Sequence, residues 1–340
     1  MDPRARRKLG KSGVDVTIIG FGGGPLGELN AKIDHDVAVG TVEAAYDGGM
    51  TLFDTSPFYG HGKSEHVVGS VLNRKPRGSF VLSTKVGRYL VPPIEKPLDR
   101  TPYVGGLDFN HVFDYTREGT LRSIDQSMAR LGISSIDCLT IHDVDVWTHG
   151  TREIYEEKFK ETMDGAYRVL DDLRSQGVVR AIGVGINEVD ICMEFAAAGD
   201  FDFFLLAGRY TLLEQGALSD FLPLCEEREI GIMLGGPYNS GILATGAVEG
   251  ARYNYAPAPA DIREKVQRIE AVCARHDVPL AAAALQFPLG HPSVASMIPG
   301  AVSRDQVERN MKLMAHKIPQ DLWAELKQER LILCESPTPD

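Results

Sequence analysis

The chain has 340 residues, 43% of them hydrophobic and 24% charged, a balance ordinary for a water-soluble globular protein. Its net charge of −11 provides no general positive field to recruit phosphate, which argues against nucleic-acid binding. No apolar run reaches the ~18 residues of a membrane span, no signal-peptide core opens the chain, and the five scattered cysteines contain no C-x-x-C pair. A reduced, cytoplasmic protein without a disulfide framework or zinc site is expected.

Taken in order, Lys8 to Ile19 reads as a β-hairpin turning at Lys11-Ser12-Gly13, with Val14, Val16 and Ile18 alternating with polar residues. Gly22, Gly24 and Gly27 fit G-x-G-x-x-G, but Pro25 interrupts them and no helix opens inside the motif, so a ligand-hugging loop is expected rather than a dinucleotide fingerprint. Helix and strand then alternate: helix 35–47, strand 51–54, helix 62–72, strand 80–85, helix 115–131, strand 136–142, helix 159–175, strand 178–184, helix 187–198, strand 201–206, helix 218–228, strand 230–234, helices 261–276 and 279–290, strand 294–298, helix 303–314, and a terminal amphipathic helix 319–331. Short strands separated by helices imply parallel pairing through right-handed crossovers. Eight alternations after a hairpin predict a closed (β/α)8 TIM barrel, using residues 1–340 as one domain; an open doubly wound sheet is the alternative. Residues 87–114 lack clear periodicity and hold Pro92-Pro93, Pro97, Pro102 and Gly105-Gly106. This long loop follows the third strand and is expected to overhang the mouth of the barrel.

In such barrels chemistry sits at the C-terminal ends of the strands. Asp54, Lys85 and His142 end the second, third and fourth strands, and Tyr59 follows Asp54 by five residues. A phenol with a solution pKa of about 10 is a poor acid. An adjacent ammonium is expected to lower that pKa, a carboxylate to hold the ammonium, and a histidine to orient a carbonyl. The set makes a proton donor for a carbonyl oxygen or a base for an alcohol. No side chain supplies hydride, so the chemistry calls for a nicotinamide cofactor. The bland alternative is a buried Asp54–Lys85 ion pair with Tyr59 and His142 incidental. Two other classes fit the residues: a lyase forming a Schiff base on Lys85, and a cofactor-binding regulatory subunit.

The segments Asp54-Thr55-Ser56-Pro57-Phe58-Tyr59-Gly60, Ser83-Thr84-Lys85, Ile141-His142-Asp143, Gly183-Val184-Gly185 and Ile298-Pro299-Gly300-Ala301 with Asn310 resemble the aldo-keto reductase superfamily from Leu9 to about Leu313. The resemblance implies a catalytic tetrad of Asp54, Tyr59, Lys85 and His142, with Tyr59 as acid/base. Val86-Gly87-Arg88-Tyr89-Leu90-Val91-Pro92, Gly208-Arg209-Tyr210-Thr211-Leu212-Leu213 and Asn239-Ser240-Gly241 resemble its aldose 1-dehydrogenase branch, which also contains a pyridoxal 4-dehydrogenase. That implies oxidation of a sugar hemiacetal at C1 to a lactone; pyridoxal oxidation and general aldehyde or ketone reduction are the alternatives. Cofactor contacts are expected from Gly23, Asp54, Asn187, Leu234, Gly235, Gly241, Gly300, Ala301, Arg304 and Asn310. The sequence departs from the family pattern at Asn187, Ala207 and Gly235-Gly236-Pro237, where many members place carboxamide-binding and ring-stacking residues. Gly300 and Gln306 replace the Lys and Arg that often meet the 2′-phosphate, which favours NAD, with NADP possible through Arg304 and Arg309. Phe58, Tyr59, Tyr89, His142, Trp147 and Tyr238 are candidate walls for a small sugar or aldehyde, an aromatic lining that suits a sugar's C–H face or a pyridoxal ring.

Overall fold

The computed structural model describes residues 1–93 and 98–340; Pro97, read as part of the long loop, lies outside them. The strands in chain order are β1 (Arg6–Lys8), β2 (Asp15–Thr17), β3 (Phe21–Gly22), β4 (Leu52–Asp54), β5 (Val81–Val86), β6 (Arg88–Val91), β7 (Asn110–Phe113), β8 (Cys138–His142), β9 (Ala181–Ile186), β10 (Phe203–Ala207), β11 (Gly231–Gly235), β12 (Arg252–Tyr253), β13 (Ala256–Pro257) and β14 (Val294–Ile298). Among the described residues, eight form one parallel sheet in the order β3-β4-β5-β8-β9-β10-β11-β14. Bridges from Ile19 to Met297 and from Gly22 to Gly300 join its two edges, so the sheet closes into the expected (β/α)8 barrel.

The sequence dictates this locally. Strands β5, β8, β9, β11 and β14 are buried along their whole length, as parallel strands covered on both faces must be. Some of the helices between them start on capping side chains: Asp34 accepts from the Asp36 and Val37 N–H groups before His35–Asp47, and Thr116 accepts from Gly119 before Arg117–Leu131. The apolar residues form two clusters. The larger lies chiefly between the sheet and the helices. The smaller joins Leu9, Val14 and Val16 around the β1–β2 hairpin to Leu52, Val81, Cys138, Ala181, Phe203 and Met233 at the strands' lower ends. The hairpin therefore plugs the bottom of the barrel. All five cysteines are unpaired thiols, and four are buried. Among the described residues, no helix is long and apolar enough to cross a membrane.

Three readings need correction, and one small hairpin had no reading. The glycine-rich run is not only loop: Phe21–Gly22 is the first barrel strand. Glycine serves the closing seam, because a Cβ on Gly22 would lie 2.5 Å from the Ile298 carbonyl oxygen. The single helix 159–175 is two, Arg152–Asp164 and Ala166–Ser175. They break at Gly165, where a Cβ would meet the Tyr115 carbonyl at 2.4 Å. Residues 87–114 are not aperiodic throughout, since β6 and β7 pair as an antiparallel hairpin. Pairing across nearly twenty residues leaves no local signal. The two-residue strands β12 and β13 are too short to show a period.

Candidate active site

Asp54, Tyr59, Lys85 and His142 converge at the C-terminal ends of β4, β5 and β8. The Lys85 Nζ lies 2.6 Å from Asp54 Oδ2 and donates to the Thr55 carbonyl at 2.8 Å. Ser83 Oγ donates to the other Asp54 oxygen at 2.8 Å. Both members of the ion pair are buried, with Lys85 1% and Asp54 2% exposed. The ammonium stands 4.6 Å from the centroid of the Tyr59 ring. The His142 ring meets Tyr59 edge-on, with centroids 5.8 Å apart.

Burial pushes the Tyr59 phenol well above its ordinary pKa, and Asp54 and the nearby Tyr103 and Asp143 push it the same way. The net lowering expected from Lys85 is therefore not found. Its charge is committed to Asp54 and a carbonyl, and it faces the ring rather than offsetting desolvation. Burial, with Arg88 and Lys85 adding to it, holds His142 well below the usual histidine range and thus neutral. The Asp54 carboxyl is raised by burial, with Lys85 and Ser83 opposing. A protonated phenol beside a neutral imidazole can exchange one proton with a carbonyl or hydroxyl oxygen.

Phe58 joins this cluster. Its ring packs edge-on to Tyr103, His111 and His142. The other expected wall residues lie apart from it. Tyr89 is adjacent to Arg88 on β6, so it faces the other way, under Arg122 at 4.1 Å. Trp147 is half exposed, 5.7 Å from the Arg209 guanidinium. Tyr238 donates to Asn310 Oδ1 at 2.8 Å, which puts it with a cofactor candidate.

Sequence reasoning did not single out four residues that complete the pocket: Arg88, Asp143, Tyr103 and His111. Arg88 is 3% exposed and lies between the rings of Phe58 and Phe113. Asp143 has a left-handed backbone (φ 53°) directly after His142, which turns its carboxylate back to Arg88 at 2.9 Å. The signal was present in part: Arg88 directly follows a glycine at φ +101°, and a Cβ on Gly87 would lie 2.3 Å from the Tyr115 ring. That glycine allows β5 to turn straight into β6.

The cofactor candidates lie chiefly on or after β3, β9, β11 and β14. The Gly23 N–H donates to the Asp54 carbonyl, and its own carbonyl accepts from Ser64. Asn187 is fixed at both backbone ends, by Asp145 and Arg209. Leu234 and Ala301 are core residues, Gly235 ends β11, and Gly300 packs on Pro25. Arg304 opens the helix Arg304–Ala315, which also carries Asn310. Two features fit a dinucleotide here. A Cβ on Gly241 would meet nothing within 4 Å, leaving bare backbone. Asn239 donates to the Gly208 carbonyl, while its buried Oδ1 has no partner.

A sequence profile of the Aldo/keto reductase family matches residues 18–330. The chain is 40% identical to a pyridoxal 4-dehydrogenase of Microbacterium luteolum, covering 96% of this chain and 98% of that protein. It is 38% identical to a D-threo-aldose 1-dehydrogenase of a Pseudomonas species, covering 96% and 97%. The fold matches an aldo-keto reductase from Bacillus halodurans in its holo form, with a TM-score of 0.74 at 22% identity over 98% of both chains. With this profile spanning the barrel and its mouth, the chain belongs to the aldo/keto reductase family and is an NAD(P)-dependent oxidoreductase.

Proposed function

We propose that this enzyme oxidises the hemiacetal carbon of an aldose to a lactone with NAD, using Tyr59 as acid/base. The observation that carries the reading is the buried Lys85–Asp54 pair under the Tyr59 ring, with neutral His142 at its edge. A buried pair of this kind is costly unless well satisfied, and here it serves a reactive phenol. When bound, the nicotinamide would accept the hydride. During reduction the Tyr59 phenol gives its proton to the carbonyl oxygen; during oxidation it first loses that proton to solvent and, as the phenolate, takes the hydroxyl proton. Lys85 holds positive charge beneath that ring, and Asp54 fixes the ammonium. His142 donates to the substrate oxygen. The lysine ammonium is paired with Asp54, donates to Thr55 and is only 1% exposed, which argues against Schiff-base chemistry.

Asn239, Gly235, Gly236 and Gly241 would hold the nicotinamide end, and Gly300, Ala301, Arg304 and Asn310 the adenosine end. NAD is favoured because Gln306 is neutral and its amide oxygen accepts the Val302 N–H, while Arg309 donates to the Ala244 carbonyl. The charged Arg88–Asp143 pair beside His142 suits a hydroxylated substrate. A second reading, pyridoxal oxidation, is favoured by the aromatic wall at Phe58 and by the Microbacterium relative.

The test is nicotinamide reduction with L-fucose, D-arabinose, L-galactose and pyridoxal, each with NAD and NADP. Turnover of sugars with NAD is expected. Turnover of pyridoxal alone would replace the substrate. Cofactor binding without turnover of any of them, in either direction, would overturn the reading.

A further inference from the structure

The proposed chemistry needs His142 to present a proton at one particular nitrogen, and the following inference rests on that reading. The Nδ1 atom of His142 faces two groups, Arg88 Nη1 at 3.2 Å and Ser56 Oγ at 3.2 Å. A guanidinium carries only donors and keeps its charge at all accessible pH. Ser56 already accepts from the Phe58 N–H at 3.1 Å, which leaves its own hydroxyl proton to give. Arg88 thus requires a lone pair at Nδ1, and the Ser56 hydroxyl is free to donate to it as well. A neutral imidazole with a lone pair at Nδ1 has its proton at Nε2. The Nε2 atom lies 3.4 Å from Asp143 Oδ1, and the other oxygen of that carboxylate accepts from Arg88 Nη2 at 2.9 Å.

Arg88 cannot easily turn away. Its guanidinium carbon is 4.3 Å from the Phe58 centroid and 4.2 Å from that of Phe113, a cation held between two ring faces. Its backbone carbonyl accepts from Ser123 Oγ at 2.7 Å. One side chain therefore grips the imidazole and the residue after it. Lys85 does not share the task, since its ammonium is bound to Asp54.

We propose that Arg88 is the positioning residue of this active site: it fixes His142 as the Nε2–H tautomer and, through Asp143, sets where that N–H points. A merely structural Arg88–Asp143 ion pair would tie β6 to β8 equally well but would leave the tautomer free.

The experiment is long-range proton–nitrogen NMR of histidine-labelled protein near neutral pH, with His142→Asn identifying the resonance. A lone-pair Nδ1 and a protonated Nε2 are expected; a proton on Nδ1, or on both nitrogens, overturns the proposal. In Arg88→Met the His142 signals should become a tautomer mixture. Turnover should fall on the order of tenfold to a hundredfold, the scale of a misplaced reacting group, with cofactor affinity unchanged. Arg88→Lys, which retains a donor, should recover part of both. An unchanged tautomer in a folded Arg88→Met protein also overturns it. Should Arg88→Met not fold, the wild-type and Arg88→Lys spectra decide. The spectra are read without substrate, so failure of every sugar in the turnover assay is a separate result.

Discussion

At the lower end of the barrel, Leu9, Val14 and Val16 are fully buried among apolar neighbours. At the upper end, Asp54, Lys85, Arg88 and His142 are nearly as buried, yet each carries charge or a hydrogen-bonding nitrogen. Water is excluded equally from both, so burial alone does not distinguish them. The lower end gains stability from every methyl it hides. The upper end sustains a desolvation cost, offset by paired charges. An enzyme built this way can be weakened at one end without touching its chemistry, and disarmed at the other with little loss of fold only where the change spares the ion pair.

The largest effect is expected at the upper ion pair. Lys85→Met leaves the Asp54 carboxylate buried without its partner and should cost about 3–5 kcal/mol of stability, together with turnover; a denaturant titration showing no loss would break the comparison. Leu9→Ala should cost about 2–5 kcal/mol. Its folded fraction should keep the wild-type kcat/KM, and an altered kcat would mean that the plug reaches the chemistry. Tyr59→Phe should reverse that pattern, with turnover reduced at least ~100-fold, cofactor binding unchanged and thermal midpoint near wild type. The smallest effect concerns His111, whose pKa burial and Arg88 lower to about 4. Above its ordinary value of about 6.5 the full contribution is present. As pH falls from there towards about 4 the unfolded chain binds a proton that the folded chain refuses, so stability declines. His61, His142, His149 and His291 are lowered too and add to the slope. His111→Asn should flatten the fall in unfolding midpoint across that range.

How much of this was legible in the sequence follows from the range of each interaction. Asp54, Lys85 and His142 were readable because each ends a strand, and strand order fixes which ends are neighbours. The hairpin was readable from the alternation of Val14 and Val16, but its seat under the barrel was not. Arg88 was quoted within a familiar segment without a role, because its partners lie at positions 58, 113, 142 and 143 and no local period connects them. Tyr89 was chosen instead, on ring chemistry alone, and strand alternation turns it to the opposite face. Helix 152–164 was missed over its first turns because Glu153, Glu156 and Glu157 dilute the apolar face there. The sign of the Tyr59 shift was misjudged because desolvation depends on depth, which spacing does not reveal.

The long segment after β5 leaves the barrel at Gly87 and returns at Asp114, whose N–H donates to the Gly87 carbonyl at 3.0 Å. Its two ends are thus stitched together on the scaffold, and between them lie Arg88, Tyr103, His111 and Phe113. Genetically this is a cassette. Exchanging one continuous stretch of coding sequence would replace most of the pocket wall while Asp54, Tyr59, Lys85 and His142 stay in place. Any such exchange would also carry the guanidinium that holds the imidazole, so selectivity and catalytic readiness would be inherited together.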